Sequence, residues 1–147
     1  MIRPRRAKCR WCGATHVLLP DSTLIRRRDH VETIGEAILA KATGSGHRRI
    51  AEGLGLLPGI VRGWLRAFGR SAEAIRAHFT RWAHALDPSL GPIEASGDAF
   101  VDAAAAIGVA TRAAVLVLGS RSVWSAVSGM TGGALLCHTK VPFPPVP

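Results

Sequence analysis

Five basic residues lie close together in sequence: His47, Arg48 and Arg49, then Arg62 and Arg66. Arg62 and Arg66 are four residues apart, so on a helix they leave the same face. A guanidinium pairs bidentately with guanine O6/N7 or clamps a phosphate. His47, Arg48 and Arg49 open the preceding apolar stretch and suit phosphate better than base edges. A second set with chemical potential is Cys9-x-x-Cys12-Gly13. Two thiolates leaving one tight turn resemble one knuckle of a zinc site, and a closed structural site needs four ligands. No second C-x-x-C occurs in the chain; His16, His30 and the Cys137-His138 pair lack ribbon spacing. Cys9 and Cys12 are therefore read as an incomplete metal half-site. The expectation is no cofactor, with zinc as the alternative.

The elements that must position the arginines follow from residues 46–68, GHRRIAEGLGLLPGIVRGWLRAF. They predict two short helices, 46–54 and 58–68, joined at Gly55, which takes positive φ without a Cβ clash. Pro58 fits the first turn of the second helix, where its missing N–H costs nothing. Ile50, Ala51 and Leu54 face inward from the first helix, Val61, Trp64 and Leu65 from the second. The outward face then carries Leu57, Gly59, Arg62, Gly63 and Arg66. This is a helix-turn-helix pattern, which sets one helix in the DNA major groove.

Charge points the same way. The net charge is +9, and residues 1–84 hold 16 Lys+Arg against 6 Asp+Glu, whereas residues 85–147 hold 3 against 4. A field concentrated in one half attracts polyanions. Apolar residues make up 48% of the chain, enough for a core. Three cysteines do not suit a disulfide scaffold, and Met1-Ile2-Arg3 leads into charge rather than a secretory signal. The most apolar run, 103–119, carries Arg112 in its middle and reads as a packed helix rather than a membrane span.

The expected fold is mainly α: a trihelical helix-turn-helix core, a short N-terminal β or knuckle segment, and additional C-terminal helices. The expected order is a truncated zinc-ribbon-like segment at 1–29, a DNA-binding domain at 30–86, a linker at 87–97, a helical region at 98–130 and an extended proline-rich tail at 131–147. Asp29 and Glu32 have capping-box spacing before a helix near 30–43, whose inward face is Val31, Ile34, Ile38 and Ala42. A helix at 71–86 is expected to brace the core through Ile75, Phe79 and Trp82, with His78 and His84 exposed. A helix at 98–118 carries a stripe of Phe100, Ala104, Ile107, Thr111, Val115 and Leu118, and a short helix follows near 121–129.

The order of basic C-x-x-C, Thr15-His16-Val17-Leu18-Leu19-Pro20, capped helix, Gly46–Ala51 and Val61–Phe68 resembles a group of actinobacterial helix-turn-helix proteins of unknown function, related to transposase N-terminal regions. Gly132–Leu136 and Pro142–Pro144 are similar as well. In that group an earlier C-x-x-C precedes the THxLLP segment. The resemblance thus implies that the first half of a ribbon is missing here, through truncation or a late start.

No nuclease pattern follows. Asp87, Glu94, Asp98 and Asp102 are the acids past residue 84, and Asp98 and Asp102 sit where acids favour a helix N-terminus. No nucleophile triad, P-loop or dinucleotide fingerprint is present. The expected function is sequence-specific or transposon-derived binding of double-stranded DNA without catalysis, in the cytoplasm at the nucleoid, with homodimerisation as a route to specificity. No membrane or small-molecule partner is expected. The alternative is a helical interaction module whose basic face meets an acidic protein.

Overall fold

The computed structural model describes residues 5–137 and 143–147. Strands β1 (Arg5–Lys8) and β2 (Thr15–Leu18) pair antiparallel, Arg5 opposite Leu18 and Lys8 opposite Thr15. Six helices follow: α1 (Val31–Ala42), α2 (His47–Leu54), α3 (Pro58–Arg70), α4 (Ala72–Leu86), α5 (Ala99–Leu118) and α6 (Val123–Met130). The fold is thus mainly helical with a small two-stranded sheet. Helix positions match the periodicities closely; α3 runs to Arg70, two residues past its expected end.

One hydrophobic core joins the helices. Ile34 and Ile38 of α1, Ile50 of α2, Val61 and Phe68 of α3, Ile75 and Phe79 of α4, Ile107 of α5 and Val127 of α6 belong to it. Helices α1, α2 and α3 touch one another pairwise. The most extensive helix pair is α4 with α5, and α4 meets α3 only lightly. Ile75 and Phe79 are fully buried, Trp82 only partly. The Phe68 and Phe100 rings, 4.7 Å apart, link α3 to α5.

Small residues set the closest approaches. Gly35 lies under the Trp124 indole, where a Cβ would overlap the ring; this seats α6 on α1. Ala103, Ala106 and Ala110 of α5 are fully buried, and short side chains let helix axes come close. Helix α5 is long and apolar enough to cross a membrane by length and composition, yet half of its apolar window is buried inside the protein.

Several expectations change here. Asp29 does not cap α1: the capping position is His30, and no side chain bonds there. The chain enters α1 extended, held by the Thr23–His30 bridge, and Val31 N–H donates to the Ser22 carbonyl at 2.9 Å. Backbone has taken the role assigned to the carboxylate. Asp98 does cap α5, accepting from Phe100 N–H and Val101 N–H at 2.9 and 3.2 Å. Asp102 accepts from the Ser96 N–H and hydroxyl, both at 2.7 Å, and these bonds hold its carboxyl below the usual range.

His78 is not exposed; it retains 1% of its surface. Its Nε2 lies 2.8 Å from the Met130 carbonyl and 3.1 Å from Trp82 Nε1. The Met130 carbonyl accepts only from a protonated Nε2 and the Trp82 N–H donates only to a bare one, so Nε2 makes one of these two bonds at a time. Burial pushes the imidazole pKa down, with the Met130 carbonyl partly opposing. His84 is half-buried. The α5 stripe also ends early: Val115 and Leu118 are 39% and 69% exposed. They border an open groove with Trp82 and Met130 instead of a packed neighbour.

The C-terminal segment folds back onto the loop before α1. Ile25 N–H donates to the Gly133 carbonyl, Arg27 Nη2 to the Leu136 carbonyl and the Ser128 hydroxyl to the Thr23 carbonyl, at 2.9, 3.0 and 2.9 Å. The Phe143 ring lies tilted at 37° against His78, with centroids 4.7 Å apart. The expectation of an extended tail concerns in part residues 138–142, which lie outside the described residues, as do His138, Pro142 and Met1–Arg3.

Candidate nucleic-acid interface

The turn between α2 and α3 is built by local chemistry. Gly55 sits in the left-handed region at φ 66° and ψ 31°, a conformation that suits glycine. Leu56 N–H then reaches back to the Ala51 carbonyl at 2.9 Å and Gly55 N–H to Glu52 at 3.2 Å, closing orphan carbonyls at the end of α2. Leu57 is extended and Pro58 is the first residue of α3.

From Pro58 onward the helix period decides which residues reach solvent. Val61, Trp64, Leu65, Ala67 and Phe68 are buried. Arg62, Gly63 and Arg66 consequently lie on the opposite side, exposed together with Gly59 and Leu57, which is 71% exposed. At the start of α2, Arg48 and Arg49 are exposed and His47 is half-buried. Ile50 and Ala51 are buried, and Leu54 is partly buried. Among the described residues, Arg48, Arg49, Arg62 and Arg66 have no hydrogen bond or ion pair within the protein. Their guanidinium groups are available to an external acceptor.

Two exposed α3 residues escape the sequence reading. Arg70 continues the four-residue step from Arg62 through Arg66; the step itself was the signal, hidden by ending the helix at 68. Ile60 is 39% exposed beside Gly59, and its side-chain type argues for burial, so nothing in the local pattern marks it.

The cysteine pair sits at the far end of the β-hairpin. Cys9 N–H donates to the Ala14 carbonyl at 2.8 Å and Gly13 N–H to the Cys9 carbonyl at 3.0 Å, with Gly13 at φ 69°. Cys9 is half-buried and Cys12 exposed. The backbone N–H of Cys12, then that of Trp11, then the Cys12 side chain lower the Cys9 pKa. Thiolate-directed amides suit a metal knuckle. The turn supplies two ligands of the four such a site needs, and the described residues contain no cluster of three or more His, Cys, Asp or Glu able to hold an ion. His16 lies on β2 opposite Ala7, and His30 at the start of α1; neither joins the cysteines.

Comparison with known protein families, with curated proteins and with solved structures finds no match for this chain.

Proposed function

We propose that the chain binds double-stranded DNA, with α2 and α3 acting as a helix-turn-helix and α3 entering the major groove. The reading includes no catalytic step. One observation carries it: α3 buries Val61, Trp64, Leu65 and Phe68 while Arg62 and Arg66 stand exposed and unpaired on the other side. A helix in the major groove needs that division, with a packed rear and a donor-bearing front. Arg62 reads base edges, whereas Arg48 and Arg49 at the start of α2 hold phosphates. Gly59 and Gly63 keep the front of α3 low, so that the backbone approaches the duplex. One such motif reads few base pairs, so a homodimer on paired half-sites gives the needed specificity. A DNA ligand places the protein at the nucleoid.

Selection of duplexes from a random pool, followed by titration of the selected and a scrambled duplex, tests this. Arg62→Ala is expected to weaken the selected duplex by about 1–3 kcal/mol and to narrow the gap between the two. Equal loss on both would remove Arg62 from base readout. A wild-type chain that ignores every duplex but binds an acidic protein would replace the reading with that of an interaction module.

A further inference from the structure

The strands of the β-hairpin contact each other and none of the helices. All eight residues of β1 and β2 are exposed. So are residues 10–19, with Trp11 at the hairpin end 99% exposed. Two four-residue strands without a covering layer are marginal in water. The strand pairing distributes its cations over both faces. Arg6 and Lys8 share one face with Val17 and Thr15; Arg5 shares the other with His16 and Leu18. Arg10 follows in the turn, and the sequence has no acid before Asp21. Among the described residues, Arg5, Arg6, Lys8 and Arg10 pair with no group of the protein.

We infer that the hairpin Arg5–Leu18 is a second duplex-binding arm, which grips DNA phosphates independently of α3. The occupant follows from complementarity. A two-stranded ribbon fits the major groove, about 12 Å wide. There, cations on both ribbon faces meet phosphates of both groove walls. A ribbon with cations on one face alone would suit a flat anionic surface better. The Trp11 indole at the tip then contacts the sugar-phosphate edge or stacks on a frayed base. The arm adds affinity without sequence preference, and α3 supplies the preference. This inference rests on the DNA-binding reading.

The test uses the full chain and a labelled random-sequence duplex, titrated over a range of salt. One variant combines Arg5→Gln, Arg6→Gln, Lys8→Gln and Arg10→Gln; the other combines Arg62→Ala and Arg66→Ala. Because the hairpin covers no core, the first variant should keep the wild-type circular dichroism and melting temperature. Its plot of log affinity against log salt should be shallower by about 3.6 units if each of the four cations holds one phosphate, at roughly 0.9 per contact. The α3 variant should keep most of that slope. Trp64 and Trp124 are buried and Trp82 is partly covered, so acrylamide quenching reports chiefly on Trp11, with Trp11→Phe as the assignment; quenching should fall when duplex is added. A wild-type chain that binds duplex while the hairpin variant keeps its slope overturns the arm alone. Loss of binding to anionic vesicles, with duplex binding unchanged, overturns it in favour of a lipid surface. A wild-type chain that binds no duplex removes the DNA reading and the arm together.

Discussion

Helices α3 and α5 solve opposite problems with similar means. Both bury a face in the common core, and they meet through Phe68 and Phe100. Helix α3 is divided: five buried residues on one side, and chiefly glycines and arginines, with Ile60 the apolar exception, exposed. Helix α5 is apolar nearly all round, and its buried surface is largely alanine packed on α4. A helix that is apolar all round is there to be enclosed. One that carries Arg62 and Arg66, without partners among the described residues, opposite a packed stripe has a side the fold does not use. The proposed DNA-binding reading rests on this contrast, although both are continuous helices in one core.

The contrast can be broken at its packed end. Phe68→Ala removes a fully buried ring from the α3–α5 contact. It is expected to cost about 3–5 kcal/mol in urea unfolding. The exposed-face variants Arg62→Ala and Arg66→Ala should stay within about 0.5 kcal/mol of wild type. A Phe68→Ala loss below that of the arginine variants would erase the division. Gly35→Ala comes next. Its added methyl meets the Trp124 ring, and displacing that ring should cost about 1–3 kcal/mol. Intrinsic propensity runs the other way, since alanine is the better helix former. A stabilised variant would show that α6 is not held at this point.

A smaller effect is expected from His78. Its pKa is lowered by burial, so the unfolded chain binds the proton more readily than the folded one. The resulting stability is present above the unfolded value, near 6.5, and declines as pH falls below it toward the folded pKa. His78→Gln should flatten unfolding free energy against pH below roughly pH 6.5. Asp102 acts lower, because its depressed carboxyl pKa places its loss below roughly pH 4. An unchanged profile in the His78 variant would remove the histidine from the balance. The smallest effect belongs to the α2 end of the interface. Arg48→Ala should lower affinity for cognate and random duplex alike and make the salt slope shallower by about one unit. An unaltered slope would mean that Arg48 touches no phosphate.

Local chemistry was readable wherever it depended on neighbours in sequence. The turn at Gly55, the start of α3 at Pro58 and the outward set Arg62, Gly63 and Arg66 follow from helical period and glycine conformation. The Asp98 cap is equally local, since its acceptor and donors lie within three residues. Asp29 shows where this fails. Its spacing to Glu32 was suitable, but the Thr23–His30 bridge and the Ser22 carbonyl settled how the chain enters α1. The C-terminal segment that closes over the loop at 23–27 left no mark in periodicity at all.

The amino-acid order alone determined which stretches coil into helices and which side of α3 bears its arginines, because these follow from contacts within a few residues. Only the tertiary structure decided that His78 is enclosed beneath Met130 and Phe143, that α4 pairs chiefly with α5, and that Trp124 lies over Gly35. Those outcomes depend on surfaces brought together from distant parts of the chain, and burial of that kind has no local signature.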